Sequence, residues 1–276
     1  MTAILVILFI LVLLAGLYLL MIGGRFGNPT LTRLKRYYYA HRGLHSKEDG
    51  IPENSLTAFR LAAENGYGAE LDVHLSKDGR LFVMHDESLA RMTGVRADIR
   101  DMTASQLEGL TLFGTREPIP YFEEVLPIFA KAGLPLIIEL KTAGKRNREL
   151  VEKVLSALRK YPDLLFCIES FDPIAMWHVR RLDKSIVRGQ LSSDFMKQPE
   201  KLKFPLTFIL KNLLLNFLSR PDFIAYNFKY RKAFSLRLCK KLYDVSEASW
   251  TIRTLPQAKK AVREGNIVIF EHIIPQ

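Results

Sequence analysis

Residues 37–86 read YYYAHRGLHSKEDGIPENSLTAFRLAAENGYGAELDVHLSKDGRLFVMHD, and this run carries most of what the chain says about its architecture. Tyr37 to Ala40 is short, aromatic and apolar, which predicts a buried strand, and His41-Arg42-Gly43 falls where that strand leaves the core. In Ile51-Pro52-Glu53-Asn54-Ser55 the proline imposes an extended approach. Ser55 or Asn54 can then cap the helix that Leu56, Phe59, Leu61 and Ala62 mark by their spacing, with Gly66 and Gly68 expected to stop it. Ala69-Glu70-Leu71-Asp72-Val73 alternates with period two, so Glu70 and Asp72 share one strand face. Two carboxylates buried at a strand end are costly alone, and a hard divalent cation would compensate them.

Lys77-Asp78-Gly79 is too short a turn for the crossover that parallel neighbours require. Val73–Leu75 and Leu81–Met84 are therefore expected to pair as an antiparallel hairpin, which returns His85 to the level of Asp72. Further strands are expected at Leu134–Lys141, with Glu139 and Lys141 on one face at its end, and at Leu164–Glu169, Ile186–Leu191, Phe223–Asn227, Ala248–Ile252 and Ile267–Phe270. Helical spacing puts Phe122, Val125, Leu126 and Phe129 on one inward face, marks Asn147–Lys160 as amphipathic, and lets Pro173 open another helix. With the hairpin outside the wall, this is the pattern of an α/β protein, a closed (β/α)8 TIM barrel whose chemistry sits at the C-terminal strand ends. Residues 73–117, with a short helix around Ala104 to Leu110, read as a long connection, and a loop of that length usually carries a function.

The chain has 276 residues, and one barrel of about 250 residues takes nearly all of it. Residues 37–276 are assigned to the barrel, 24–36 to a basic linker, and 1–23 to a transmembrane anchor. Ala3 to Ile22 carries no charge and is long enough to span the hydrocarbon layer, with no basic region ahead of it and no small-residue cleavage site behind it. Arg25, Arg33, Lys35 and Arg36 follow that segment and no acid appears before Glu48, so the positive-inside tendency puts the barrel on the cytoplasmic side of a single-pass membrane protein. The net charge of +11 comes from scattered Lys and Arg with no nucleic-acid motif, which favours an anionic membrane surface or phosphate-bearing substrates over nucleic acid. Cys167 and Cys239 lie in apolar or helical runs and read as buried thiols rather than a disulfide. Lys201 to Arg220 is apolar over much of a helix circumference; it fits a buried barrel helix, an interfacial helix dipping into lipid, or a self-association surface centred on residues 204–218.

His41-Arg42-Gly43, Pro52-Glu53-Asn54, Glu70-Leu71-Asp72-Val73, Lys77-Asp78-Gly79 and His85-Asp86, in that order, resemble the signature of the glycerophosphodiester phosphodiesterase family. The match is dense over Ala40 to Gly94 and returns at Ile138-Glu139-Leu140-Lys141, Ser170-Phe171 and Trp250-Thr251. The resemblance implies Glu70, Asp72 and Glu139 as ligands of Mg²⁺ or Ca²⁺, the alternative being a buried ion-pair network with Arg42 or Lys141. It implies His41 and His85 as general acid and base, in an order the sequence leaves open. Arg42 and Lys141 would hold phosphoryl oxygens, Glu53 would orient Arg42 or stand near the metal, Trp250 would stack on glycerol carbons or fill the core, and residues 73–117 would form a small cap insertion after the second strand, over the barrel mouth. Two departures stand out. Ser55 replaces the usual Thr after Pro-Glu-Asn, and Phe270-Glu271-His272 stands where the family often has Thr-Asp before Pro, which alters the pocket wall.

The implied activity is metal-dependent hydrolysis of glycerophosphodiesters to glycerol 3-phosphate and an alcohol, with water or the neighbouring glycerol hydroxyl as nucleophile. The anchor and residues 204–218 support an alternative, lysophospholipase D-type cleavage of membrane lysophospholipids. A non-catalytic anchored barrel is the third reading; a lost ligand or histidine would mark it, and none is lost.

Overall fold

The computed structural model describes residues 1–142, 146–197 and 203–275. Its strands are β1 (Tyr38–His41), β2 (Gly68–Leu75), β3 (Leu81–Val83), β4 (Leu136–Leu140), β5 (Phe166–Ser170), β6 (Arg188–Ser192), β7 (Phe223–Asn227), β8 (Ser246–Ile252) and β9 (Ile267–Phe270). Among the described residues, every strand but β3 joins one closed parallel barrel, sealed by pairing of β1 with both β2 and β9. As the short turn requires, β3 pairs antiparallel with the end of β2, Val73 facing Val83 and Leu75 facing Leu81. The eight expected barrel strands and the external hairpin are all present.

Alternation along the strands separates two cores. Outward residues such as Ala69, Leu71, Ile138, Leu140, Ile168 and Val268 pack under the helices with Phe59, Phe122, Val125 and Phe129. Inward residues Tyr39, Ile137, Cys167, Leu191, Phe223, Ala225, Ala248 and Ile269 fill the barrel. Residues 89–119 gather their own apolar cluster around Phe82, Met84, Leu89, Met92 and Leu107. Both cysteines are buried and free.

Local chemistry sets the element ends. Ser55 caps helix Leu56–Glu64 by accepting from the Ala58 N–H at 3.1 Å, and Asp172 does the same for the helix that Pro173 opens. Gly66, at φ 76°, ends the first of these helices. Gly68, expected to share that task, instead starts β2, where a Cβ would come within 2.9 Å of the Tyr39 ring.

Two segments differ from expectation. The stretch 24–36, read as a linker, contains helix Pro29–Leu34, whose Leu31 and Leu34 plug the barrel floor beside Tyr39; Arg25 pairs with Asp222 at 2.6 Å. Isolated sequence could not show this, because the partners lie on β1, β4 and the loop before β7. The region read as one helix from Lys201 to Arg220 is two short ones, Leu206–Lys211 and Asn216–Ser219, broken where Leu213 adopts φ 59°; residues 201–202 lie outside the described residues. Its Phe204, Leu206, Phe208 and Phe217 side chains are exposed. Helix Thr2–Ile22 is long and apolar enough to cross a membrane, and its last turn docks on the barrel through Asn216 Nδ2 to Ile22 O at 3.2 Å and Tyr243 Oη to Leu19 O at 2.6 Å.

Candidate active site

The parallel register brings the acidic side chains together. Asp72 pairs with Glu139 across β2 and β4, Glu139 with Glu169 across β4 and β5, and Glu70 sits one layer below, opposite His41. Oxygens of Glu70, Asp72 and Glu139 lie within 4.8 Å of one another, and all three residues are buried. Lys141, just past β4, places its Nζ 2.9 Å from Asp72 Oδ1 and 2.7 Å from Glu139 Oε1.

Electrostatics divides this set unevenly. Burial, reinforced by the charges of Asp72 and Glu139, pushes the Glu70 carboxyl well above the usual carboxylate range. Burial also raises Glu139, to about 7, although Lys141 opposes it. Asp72 is held well below its ordinary value against burial, by Lys141, His85 and Arg42. Lys141 touches two of the three carboxylates but brings a single positive charge, and it makes no ion pair with Glu70. Three converging, buried carboxylates that share one ammonium group fit a hard divalent ion.

Arg42 turns through φ 57°, which aims its N–H at Glu70 Oε2 (3.2 Å), while its Nη1 donates to Glu53 Oε1 at 2.8 Å and its Nε stands 3.5 Å from Asp72 Oδ2. Glu53 therefore orients Arg42, and Arg91 holds Glu53 from the other side at 2.7 Å. The left-handed conformation continues at Gly43, φ 79°, which packs against the Ala58 backbone.

The two histidines reach the pocket from different elements. The Met84 N–H donates to the Asp72 carbonyl at 3.0 Å, so the hairpin returns His85 to the end of β2 as its length demands. His85 Nδ1 meets Asp86 Oδ1 at 2.6 Å, and Arg91 grips the other Asp86 oxygen. Against the cost of burial, Arg91 and His85 keep Asp86 at about 2. His85 is lowered to about 4, by burial first and then by Lys141 and Arg42. His41 Nδ1 faces Glu271 Oε1 at 3.5 Å and its Nε2 faces Glu70 Oε2 at 3.9 Å; burial lowers its pKa while Glu271 opposes the shift. Each imidazole thus has a carboxylate behind Nδ1, which leaves Nε2 for the pocket.

His41, Arg42, Glu70, His85, Glu139, Glu169, Phe171, Leu191, Trp250 and Ile269 line a small open pocket of about 40 Å³ at the barrel mouth. Every site residue picked from the sequence lies in or beside this pocket.

Four neighbours had no role in the site assigned from the sequence. Glu271 ends the inward alternation of Ile267 and Ile269, and its carboxylate also meets His45 Nε2 at 3.3 Å and Arg253 at 2.6 Å. Glu169 follows Cys167 on the inward face of β5, is 1% exposed and is pushed well up by burial and by Glu139. Asn54, at φ 56°, donates to Asp72 Oδ2 at 2.8 Å, and Asp86 backs His85. Period-two counting from Ile267 and Cys167 would have flagged Glu271 and Glu169 as inward carboxylates.

Comparison with known proteins agrees with this geometry. A glycerophosphodiester phosphodiesterase of Bacillus altitudinis is 34% identical over 173 residues, covering 59% of this chain and 69% of that protein. One of Caldanaerobacter subterraneus is 30% identical over 174 residues, covering 60% and 70%. An Oleispira antarctica phosphodiesterase, solved in complex with the product sn-glycerol-3-phosphate, shares the fold with a TM-score of 0.68 at 23% identity, covering 85% of this chain and 92% of that one. The glycerophosphoryl diester phosphodiesterase family model matches residues 41–270, from the first catalytic candidate to the end of β9, and the chain is an enzyme belonging to that family.

Proposed function

We propose that the enzyme hydrolyses glycerophosphodiesters to glycerol 3-phosphate and an alcohol, with His41 and His85 exchanging protons with the nucleophile and the leaving alkoxide. The observation that carries this reading is one pocket with two carboxylate-backed imidazoles facing a three-carboxylate cradle. Glu70, Asp72 and Glu139 would hold a Mg²⁺ or Ca²⁺ ion, which when bound polarises the phosphate and lowers the pKa of the attacking hydroxyl. Arg42 offers a planar fork and Lys141 a point charge to the phosphoryl oxygens. Glu53 and Arg91 fix the Arg42 fork, and Asn54 holds the Asp72 carboxylate in place. The Asp86 and Glu271 carboxylates fix the tautomers, so that the Nε2 atoms move the protons.

Residues 2–22 would anchor the chain in a membrane, with the barrel on the cytoplasmic side where Arg25, Arg33, Lys35 and Arg36 stand. One feature supports lysophospholipids as further substrates. Trp250 stacks edge-on with Phe171 (5.8 Å between centroids) and Phe171 with Phe195 (5.9 Å), so an aromatic strip runs from the pocket towards exposed Met196, Phe204 and Phe208.

The test is purified full-length protein with glycerophosphocholine, glycerophosphoethanolamine and micellar lysophosphatidylcholine, each with Mg²⁺ or Ca²⁺. Turnover of the soluble diesters that vanishes in His41→Asn, His85→Asn and Glu70→Ala is expected. No turnover of any diester, or activity that survives Glu70→Ala, refutes the hydrolysis reading. Absence of lysolipid turnover alone removes the second substrate class.

A further inference from the structure

Glu70, Asp72, Glu139 and Glu169 all lie on the inward faces of β2, β4 and β5, and the proposed cation cradle uses the first three. Glu169 is left over. It stands beside Glu139 in register but outside the group of oxygens that converge within 4.8 Å. Its Oε2 is buried and has no hydrogen-bond partner, on a wall otherwise built of Phe171, Leu191, Trp250 and Ile269. Trp250, which lines the same pocket from β8 and meets Phe171 edge-on, likewise has a buried Nε1–H without a partner. Two residues that line the pocket therefore carry one unsatisfied carboxyl oxygen and one unsatisfied N–H between them. Groups of this kind are costly to bury unless a ligand completes them.

We infer that Glu169 and the Trp250 Nε1–H form a hydroxyl-reading subsite, in which Glu169 binds a free hydroxyl of the substrate's glycerol moiety and the indole N–H donates to a hydroxyl oxygen. A hydroxyl both donates and accepts, so a vicinal diol can satisfy both groups. An alkyl chain of the same length satisfies neither and leaves both desolvated. A site that hydrogen-bonds a substrate hydroxyl rejects the analogue lacking it far more strongly than an apolar pocket rejects a change of size. Glu169 thereby sets specificity for glycerol on the phosphate, while the cradle and the histidines act on the phosphodiester itself. This inference rests on the proposed hydrolysis reaction.

The experiment compares kcat/KM of the full-length enzyme on glycerophosphoethanolamine and on the matching propyl phosphoethanolamine diester, which lacks the glycerol hydroxyls. Wild type is expected to prefer the glycerol compound by about 10-fold or more. In Glu169→Leu that preference falls by about 10- to 100-fold, while Glu169→Gln, whose amide oxygen still accepts, keeps part of it. Mg²⁺ and Ca²⁺ affinities, read by calorimetric titration, stay the same in these variants. Should the leucine variant not fold, Glu169→Ser provides the same ratio with a group that water can solvate. An unchanged preference, or equal losses on both substrates with weaker metal binding, overturns the subsite and moves Glu169 to the cation site. Wild type turning over neither diester is a different result, which takes down the hydrolysis reading and the subsite together.

Discussion

Glu271→Gln tests how the first histidine is held. Glu271 Oε1 lies 3.5 Å from His41 Nδ1, so at an effective dielectric near 20 a full charge there stabilises an imidazolium by about 5 kcal/mol. Much of that is already shared. Arg253 contacts the other oxygen at 2.6 Å and His45 approaches the same one at 3.3 Å. A remainder of about 1.4–2.7 kcal/mol corresponds to a 10- to 100-fold loss of kcat/KM, the usual range for an outer partner that orients a functional histidine. The pH profile adds a sign. Burial lowers the His41 pKa and Glu271 counteracts it, so removing the charge shifts the His41 limb to more acid pH. The assay is kcat/KM on glycerophosphoethanolamine from pH 4 to 9 for both proteins, with thermal melts to check folding. Activity within about twofold of wild type and an unmoved profile would refute a dyad role for Glu271.

Other outcomes follow from the same geometry. Glu70→Gln should raise the melting temperature without divalent ions, since it removes a carboxyl whose ionisation burial, Asp72 and Glu139 oppose, and should abolish the rise on adding Mg²⁺ or Ca²⁺; a preserved cation shift in scanning calorimetry excludes the cradle. Gly43→Ala places a Cβ 2.8 Å from Ala58 Cβ at φ 79°, and should cost about 2 kcal/mol or more in urea unfolding, whereas less than about 0.5 kcal/mol would mean the turn relaxes freely. Glu247, buried under Arg231 (2.6 Å) and Lys240 (2.7 Å), has a depressed pKa, so its stabilisation is present above the unfolded carboxylate pKa near 4.3 and is lost as pH falls through the folded value. Glu247→Gln should therefore cost about 2 kcal/mol at pH 7 and progressively less below pH 4, and a gap that stays constant with pH contradicts the assignment. Alkaline carbonate extraction should leave the full-length chain in the membrane pellet with its N-terminus intact by mass spectrometry; a soluble chain trimmed after residue 22 would mean that Thr2–Ile22 is a cleaved leader.

The pieces that were legible in the sequence share a local cause. The short turn at Lys77-Asp78-Gly79 forces a hairpin, the alternation at 69–73 puts Glu70 and Asp72 on one face, and Pro173 and Ser55 announce helix starts. The region 201–220 misled because apolar composition marks burial or contact without fixing a helix: Leu213 turns left-handed and splits it. Residues 24–36 misled for the opposite reason, since the pattern of Leu31 and Leu34 is too short to announce a helix that only the barrel floor stabilises.

By itself, the amino-acid sequence determined the number and direction of the strands, the hairpin, and which side chains face inward, because backbone periodicity and turn length act over a few residues. Only the tertiary structure decided that Glu271 stands behind His41, that Glu169 shares the pocket without joining the cradle, and that Asn54 and Arg91 brace Asp72 and Glu53. Those contacts depend on how far the strands shift past one another when β9 closes on β1, and that register is a property of the whole closed sheet that no stretch of chain encodes alone.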